Sequence, residues 1–227
     1  TGDFIFLEQP DAFAQQWLVV DLVSRRLPKS YGYDPLRDIQ VITPAKQGPL
    51  GTRELNRLLQ GKLNPPERGK GEATLMGRTL REGDKVMQIR NNYDIIWQQP
   101  DGTAGTGIFN GDMGIIEMLD PGSKTIQVRF EEKLATYSFE NQDQLEHAYA
   151  VTVHKSQGSE FEAVVMPLER RHPKLHYRNL LYTAVTRARK LLIMTGQKET
   201  VYAMVQNNRR TLRYTNQKEM LQEMCDE

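Results

Sequence analysis

Between the apolar ends of "AVTVHKSQGSEFEAVV" (150–165) lie an imidazole, an ammonium, two hydroxyls and a glycine, contributed by His154, Lys155, Ser156, Ser159 and Gly158. These groups suit phosphate. Hydroxyls and an ammonium donate to its oxygens, and glycine lets the backbone turn closely around it. They also suit an ordinary polar loop, with Gly158 in a turn and His154 satisfied by hydrogen bonds. A second candidate is "LLYTAVTRARK" (180–190), where Thr186, Arg187, Arg189 and Lys190 crowd the end of a helical pattern. A guanidinium is permanently charged and offers a planar fork of donors to several phosphate oxygens. The plain alternative is a helix C-terminus dressed with cations that complement its dipole. No loop of the form G-x-x-x-x-G-K-[ST] accompanies either segment, because Gly61-Lys62-Leu63 and Gly69-Lys70-Gly71 do not fit it.

The elements that must position these residues follow from periodicity. Phe4–Leu7 is a short apolar strand, and Phe13, Trp17, Val20, Val23 and Leu27 recur near the helical period after Pro10-Asp11. Ile39–Thr43 is the next strand, followed by a Pro/Gly loop and a helix carrying Leu55, Leu58 and Leu59. Such alternation implies a parallel sheet. Residues 61–74, with Pro65-Pro66 and three glycines, predict an exposed loop and a boundary. From about Arg81 to Glu140 the period shortens to two, with turns at Asn110-Gly111-Asp112 and Asp120-Pro121-Gly122, which predicts a small antiparallel barrel. The helix-and-strand style then returns at Ala148–Val153, Ala163–Leu168, Arg178–Thr186 and Leu191–Thr195. The expected organisation is therefore an α/β domain over 1–80 and 141–227, interrupted by a barrel over 81–140. The final stretch with Met204, Val205, Leu212, Met220 and Leu221 is expected to be helical.

Composition narrows the class. The 227 residues allow one large or two small domains with an ample core. No apolar run approaches the roughly 18 residues of a membrane span, and the start lacks a signal-type segment, so no membrane partner is expected. The absence of an initiator Met leads us to expect a fragment. Cys225 is the sole cysteine, which excludes a disulfide framework and a cysteine zinc site and fits a reducing cytoplasm. A formal charge of +1 exerts no global pull on nucleic acid. Local clusters must supply it, such as Arg170, Arg171, Lys174, Arg178, Arg187, Arg189 and Lys190, which equally make a solvated surface. A nuclease is disfavoured, since no Asp/Glu cluster suggests two metals and His154, His172 and His176 lack metal-type spacing.

Taken in order, "VITPAKQGPLG" (41–51), "GDKVMQIRNNYD" (83–94), "FNGDMG" (109–114), "AYAVTVHKSQGSEFEAVV" (148–165) and "NLLYTAVTRARKLLIMTG" (179–196) resemble the second half of superfamily 1 DNA helicases, in the RecD-like branch of the exodeoxyribonuclease V alpha subunit. The resemblance covers nearly the whole chain. It implies a second RecA-like motor domain interrupted by an SH3-like barrel. Helicase motif IV then falls at 41–51, motif V at "TVHKSQGSE" and motif VI at "YTAVTRARK". Carried over by residue, Arg187 is similar to the arginine finger that reaches a γ-phosphate across the interdomain cleft. Gly158 and Glu160 match positions that face nucleotide, with Glu160 toward the ribose, and Lys46 is the cation nearest the motif IV position. Thr152, His154, Lys155 and Ser156 match the part of motif V that approaches the sugar-phosphate backbone of single-stranded DNA, and Gln157 lies between the two sets as a coupler.

The resemblance places the phosphate loop and the Mg2+ motif in a first RecA-like domain. ATP and Mg2+ would be held mainly there, and the isolated fragment would be inactive and bind no cofactor of its own. Single-stranded DNA, that first domain and nuclease or helicase subunits are the implied partners, and 5′ to 3′ movement the implied polarity. In the barrel, "RNNYD" (90–94) could bring Asn92 or Tyr93 to DNA, or could make a turn with Tyr93 packed. Trp97, in the departure from the family pattern at 94–107, could stack on a base or cover the barrel end. A non-catalytic single-strand-binding module is the competing function. Retention of Glu160 and Arg187 argues against it.

Overall fold

The computed structural model describes residues 3–75, 77–170 and 175–208. Strand β1 (Phe4–Glu8) leads into α1 (Ala12–Asp21), which Asp11 caps by accepting from the Ala14 N–H at 2.7 Å. A π-helical turn at Leu22–Arg26 joins it to α2 (Leu27–Tyr31), which ends at Gly32 with φ 72°. After β2 (Ile39–Thr43), helix α3 (Thr52–Leu63) starts at Gly51, where a Cβ would stand 2.5 Å from the Gln47 carbonyl carbon.

A hairpin follows, β3 (Glu72–Leu75) and β4 (Arg78–Arg81), and then the strands of the antiparallel sheet. These are β5 (Lys85–Gln88), β6 (Asn92–Gln98), β7 (Ala104–Ile108), β8 (Met113–Asp120), β9 (Thr125–Phe130), β10 (Lys133–Ser138) and β11 (Leu145–His147). The chain returns through β12 (Ala150–Thr152), a 3-10 turn at Val153–Ser156, β13 (Phe161–Pro167), α4 (Arg178–Val185), β14 (Ala188–Gly196) and α5 (Lys198–Gln206).

The five-stranded sheet runs in the order β1-β14-β13-β2-β12, all parallel. Successive side chains of a strand point to opposite faces, and the packing shows the split. Ile39, Val41, Ala163, Val165, Leu191 and Ile193 pack with Val19 and Val23 of the α1 arm and with Leu55 and Leu59 of α3. Ile42, Val164, Met166, Leu192 and Met194 pack on the other face with Leu180, Leu181 and Ala184 of α4 and Met204 of α5. The seven-stranded sheet, β11-β5-β8-β9-β10-β6-β7, is antiparallel throughout and closes on its own core of Val86, Ile116, Ile126, Val128, Tyr137 and Leu145. The parallel α/β domain with a separate SH3-like antiparallel insert is thus the architecture expected from the resemblance.

Several details differ from the sequence expectation. Phe13 and Trp17 recur at the helical period yet stand exposed on α1, while Gln15 and Gln16 are buried. Gln15 donates to the Leu168 carbonyl and accepts from Thr195 Oγ1 at 2.8 Å, tying α1 to the sheet. The antiparallel sheet continues past residue 140, because β11 pairs with β5 through Leu145↔Gln88 and His147↔Val86. The β3–β4 hairpin was not expected. Its strands have four residues each, too few for a legible period, and it packs where Gly71 meets the Leu119 carbonyl. The 94–107 segment is the β6–β7 hairpin. Trp97 covers the barrel core from it, with the Lys133 ammonium 4.9 Å from its ring centre and Gly105 leaving room for the indole. The expected terminal helix exists as α5 and holds Met204 and Val205, whereas Leu212, Met220, Leu221 and Cys225 lie outside the described residues.

Candidate nucleotide and nucleic-acid interfaces

The candidate residues collect at opposite edges of the parallel sheet. Register places Thr152 beside Thr43, at the C-terminal ends of β12 and β2, and Phe161 beside Ala188, at the N-terminal ends of β13 and β14. The segment 153–160 therefore crosses from one edge of the sheet to the other.

At the N-terminal edge, Arg187 sits between α4 and β14. Its Nε donates to the Thr183 carbonyl at 3.2 Å, Nη1 to the Ser159 carbonyl at 3.0 Å and Nη2 to Thr186 Oγ1 at 3.1 Å. The Phe161 N–H donates to the Arg187 carbonyl at 2.9 Å, so the two motif segments are fastened together. Among the described residues no carboxylate lies within ion-pair distance of Arg187. Its partners among the described residues are neutral acceptors, one of them a C-terminal carbonyl of α4, where a cation is favoured. Glu160 pairs instead with Arg189 at 3.1 Å, and Glu162 with Lys190 at 2.7 Å. Gly158 has φ 87° with open space around it, a left-handed conformation that suits glycine and lets the segment turn toward Glu160. Of the wider cationic cluster, Arg171 and Lys174 lie outside the described residues, as does His172.

At the C-terminal edge lies a groove of about 720 Å³ between α3 and the β3–β4 hairpin. Its cations are Lys46, Arg53, Arg57, Arg78 and Lys155, and Thr152 lies on its wall. Lys46 is thus brought together with Thr152 and Lys155, and not with Gly158, Glu160 and Arg187. It follows β2 and so sits at the C-terminal edge, which is the physical reason to move it from the nucleotide set to the groove. Lys155 donates to Glu146 Oε2 at 2.6 Å. Burial works to raise the Glu146 carboxyl, but Lys155, Arg78 and Lys46 outweigh it and hold the group below its ordinary range.

The remaining expected residues are placed as follows. His154 and Gln157 are exposed on the crossing segment. Thr152 is buried, and its hydroxyl accepts from the Lys155 N–H at 3.4 Å. Ser156 has no exposed surface, and its hydroxyl donates to the Val153 carbonyl at 2.8 Å, so it shapes the turn and does not present itself to a ligand. Asn92 is also committed within the barrel, donating to Gln144 Oε1 at 3.0 Å and accepting from the Asp94 N–H at 2.9 Å. Its neighbour Tyr93 is 66% exposed and meets Phe109, itself 42% exposed, edge to face at 5.7 Å.

Sequence reasoning missed Arg53, Arg57 and Arg78. Arg53 and Arg57 form part of a "TRELNR" stretch on α3 that resembles any solvated helix face, Arg78 opens the short strand β4, and only the packing of hairpin against helix makes them opposite walls of a groove. No group of three or more His, Cys, Asp or Glu side chains among the described residues is placed to hold a metal ion. No helix there is long and apolar enough to cross a membrane.

The chain thus joins a parallel α/β domain, an SH3-like insert and two cation-bearing edges, and its class is given by its relatives. Family comparison is specific on this point. Residues 55–130 match the SH3 domain of ATP-dependent RecD-like DNA helicases, and residues 147–195 match the UvrD-like helicase C-terminal domain. The ATP-dependent RecD2 DNA helicase of Deinococcus radiodurans is 35% identical over 158 residues, covering 70% of this chain and 20% of that protein. The RecBCD enzyme subunit RecD of Buchnera aphidicola is 26% identical over 172 residues, covering 74% and 26%. A solved structure of Pif1 helicase from Bacteroides in complex with ADP-AlF3 and ssDNA superposes with a TM-score of 0.49 at 16% identity, covering 94% of this chain and 50% of that one. The chain belongs to the RecD-like family of superfamily 1 DNA helicases and represents a C-terminal region of it. It spans about a fifth to a quarter of the length of these curated relatives.

Proposed function

We propose that this chain is the C-terminal motor half of an ATP-dependent DNA helicase, contributing an arginine finger and part of the track for single-stranded DNA. The observation that carries this reading is the pair of edges joined by one crossing segment. Arg187 stands at one edge with no carboxylate among the described residues paired to it, and the Lys46, Arg53 and Lys155 groove lies at the other.

In this reading a first RecA-like domain holds most of the ATP and its Mg2+. Arg187 turns from the neutral Thr183 and Ser159 carbonyls toward the phosphate as the cleft closes. Because Ser159 precedes Glu160 and follows Thr152–Lys155 by a few residues, releasing its carbonyl changes the segment that also lines the groove. Lys155, Arg53 and Lys46 contact phosphates without reading bases, as a translocating strand requires. Domains 1–80 with 141–227 move as the motor, and the β3–β4 hairpin ahead of the inserted barrel supplies the far wall of the groove. Movement is 5′ to 3′, and RecD-type partners in a nuclease–helicase assembly are compatible with the same surfaces.

The test is ATP turnover by the helicase that carries this chain. With Arg187→Ala, ATP binding persists and DNA-stimulated hydrolysis collapses. Unchanged hydrolysis would favour the competing function, a single-strand-binding module. Gln157→Ala probes the crossing segment and should lower unwinding per ATP consumed more than it lowers hydrolysis.

A further inference from the structure

The two walls of the groove meet over a single carboxylate. Asp84, just ahead of β5, is 0% exposed. Its Oδ1 accepts from Asn64 Nδ2 at 2.6 Å and from the Tyr149 hydroxyl at 2.9 Å. Its Oδ2 accepts from Gln60 Nε2 at 2.7 Å, the Arg81 N–H at 2.8 Å and His147 Nε2 at 3.1 Å. Gln60 Nε2 and His147 Nε2 are 3.2 Å apart and converge on the same oxygen as donors. A carboxylate has about four lone-pair sites, so this one is saturated.

The donors come from three separate parts of the chain. Gln60 and Asn64 belong to the C-terminal end of α3, Arg81 ends the β3–β4 hairpin, and His147 and Tyr149 lie on the passage from β11 to β12 that leads to Thr152. Asn64 strengthens the union by donating to the Glu82 carbonyl and accepting at its own carbonyl from Arg81 Nη1 at 2.5 Å. Gln60 and His147 line the groove, whereas Asp84, Asn64 and Tyr149 do not. An isolated buried carboxylate is costly unless hydrogen bonds compensate it. Hydrogen bonds to a charged group are stronger than those between neutral groups, and they are directional, which apolar packing is not.

We propose that Asp84 is a positioning residue for nucleic-acid binding. It fixes the spacing between α3, the hairpin and the segment that delivers Thr152 and Lys155, so that the groove is shaped before a strand enters. This rests on the reading of the groove as a single-strand track.

The experiment measures ssDNA-stimulated ATP hydrolysis by the helicase that carries this chain, with oligothymidylate as the probe. In Asp84→Asn one acceptor oxygen becomes a donor and opposes donors already present. We expect the half-saturating oligothymidylate concentration to rise about tenfold, the equivalent of 1.4 kcal/mol, while kcat at saturating DNA stays within about twofold. Tyr149→Phe removes one donor that does not touch the groove, and should raise the same concentration roughly threefold without loss of folded protein. An Asp84 with only a structural role would lower the melting temperature and the active fraction in Asp84→Asn, and leave the half-saturating concentration unchanged in both variants. That outcome overturns the proposal. Arg53→Ala separates the two readings. If it leaves oligothymidylate affinity unchanged, the track assignment fails. If it weakens affinity while Asp84→Asn and Tyr149→Phe do not, the track stands and the positioning role of Asp84 falls.

Discussion

Arg187 and Lys155 belong to the same pair of motif segments but are held in opposite ways. Arg187 rests on two backbone carbonyls and a hydroxyl, all neutral. Lys155 is already paired with a carboxylate, Glu146, at 2.6 Å. A guanidinium on neutral acceptors gains strongly from any anion brought to it, whereas an ammonium on a glutamate must exchange one anion for another. The N-terminal edge thus presents a guanidinium held by neutral groups, which under the proposed function is half of a site that an anion from outside completes. The C-terminal edge is a groove with its own internal competitor.

The largest expected effect is at the first edge. Arg187→Ala should reduce ATP hydrolysis about 10³–10⁵-fold, the range for arginine fingers, with ATP affinity retained in an equilibrium titration. Near-normal turnover would erase the contrast between the two edges.

Next in size is a stability effect where the barrel meets the N-terminal edge. Lys85 is buried there, with Nζ 3.4 Å from the Ile39 carbonyl and 5.8 Å from the Phe161 ring centre. Burial lowers its pKa from 10.5 to about 8, although Asp34 and Asp38 pull it partly back. Below pH 8 the lysine is protonated both folded and unfolded, and the native state bears the full cost of the buried charge. Between pH 8 and 10.5 the unfolded chain binds more protons, so native stability rises with pH. Lys85→Met should stabilise the fold by roughly 3 kcal/mol at pH 7, and chemical denaturation should show this gain shrinking toward pH 10.5. A gain independent of pH would mean the ammonium is not the source.

At the groove the effects are smaller. Lys155→Ala should weaken oligothymidylate binding roughly five- to tenfold and reduce the slope of log affinity against log salt by about one. The loss should be the same for other base compositions, and a sequence-selective loss would argue against backbone tracking. Glu146→Gln should do the reverse and tighten binding about two- to threefold, as expected for release of a partly exposed ion pair. Unchanged affinity would show that the Lys155–Glu146 pair does not compete with phosphate.

The α/β rhythm was legible because its strands and helices are long and apolar. Ile39–Thr43 and Leu191–Thr195 are buried on both faces, and α3 carries Leu55 and Leu59 on one side. The barrel was legible from two-residue alternation, as in β9, where Ile126, Val128 and Phe130 face inward. The β3–β4 hairpin and β11 were not, because strands of three or four residues carry too little pattern. Trp17 shows the converse failure. Its spacing is that of a core residue, yet the core face of α1 there is taken by Gln15 and Gln16, whose amides have partners 33 to 180 residues away in the chain.

What the sequence determined by itself was chemical identity and order. The motif segments, the missing phosphate loop and the turn glycine at Gly158 follow from residue types at short spacing, where local sterics and charge decide. What only the tertiary structure decided was company. It turned Ser156 inward, committed Asn92 to Gln144, moved Lys46 beside Thr152 and Lys155, and set Arg53, Arg57 and Arg78 around one groove. It also gathered five donors from distant segments on Asp84. Such meetings depend on which strand lies beside which and on how the chain returns from the barrel, and those are long-range contacts that residue spacing does not encode.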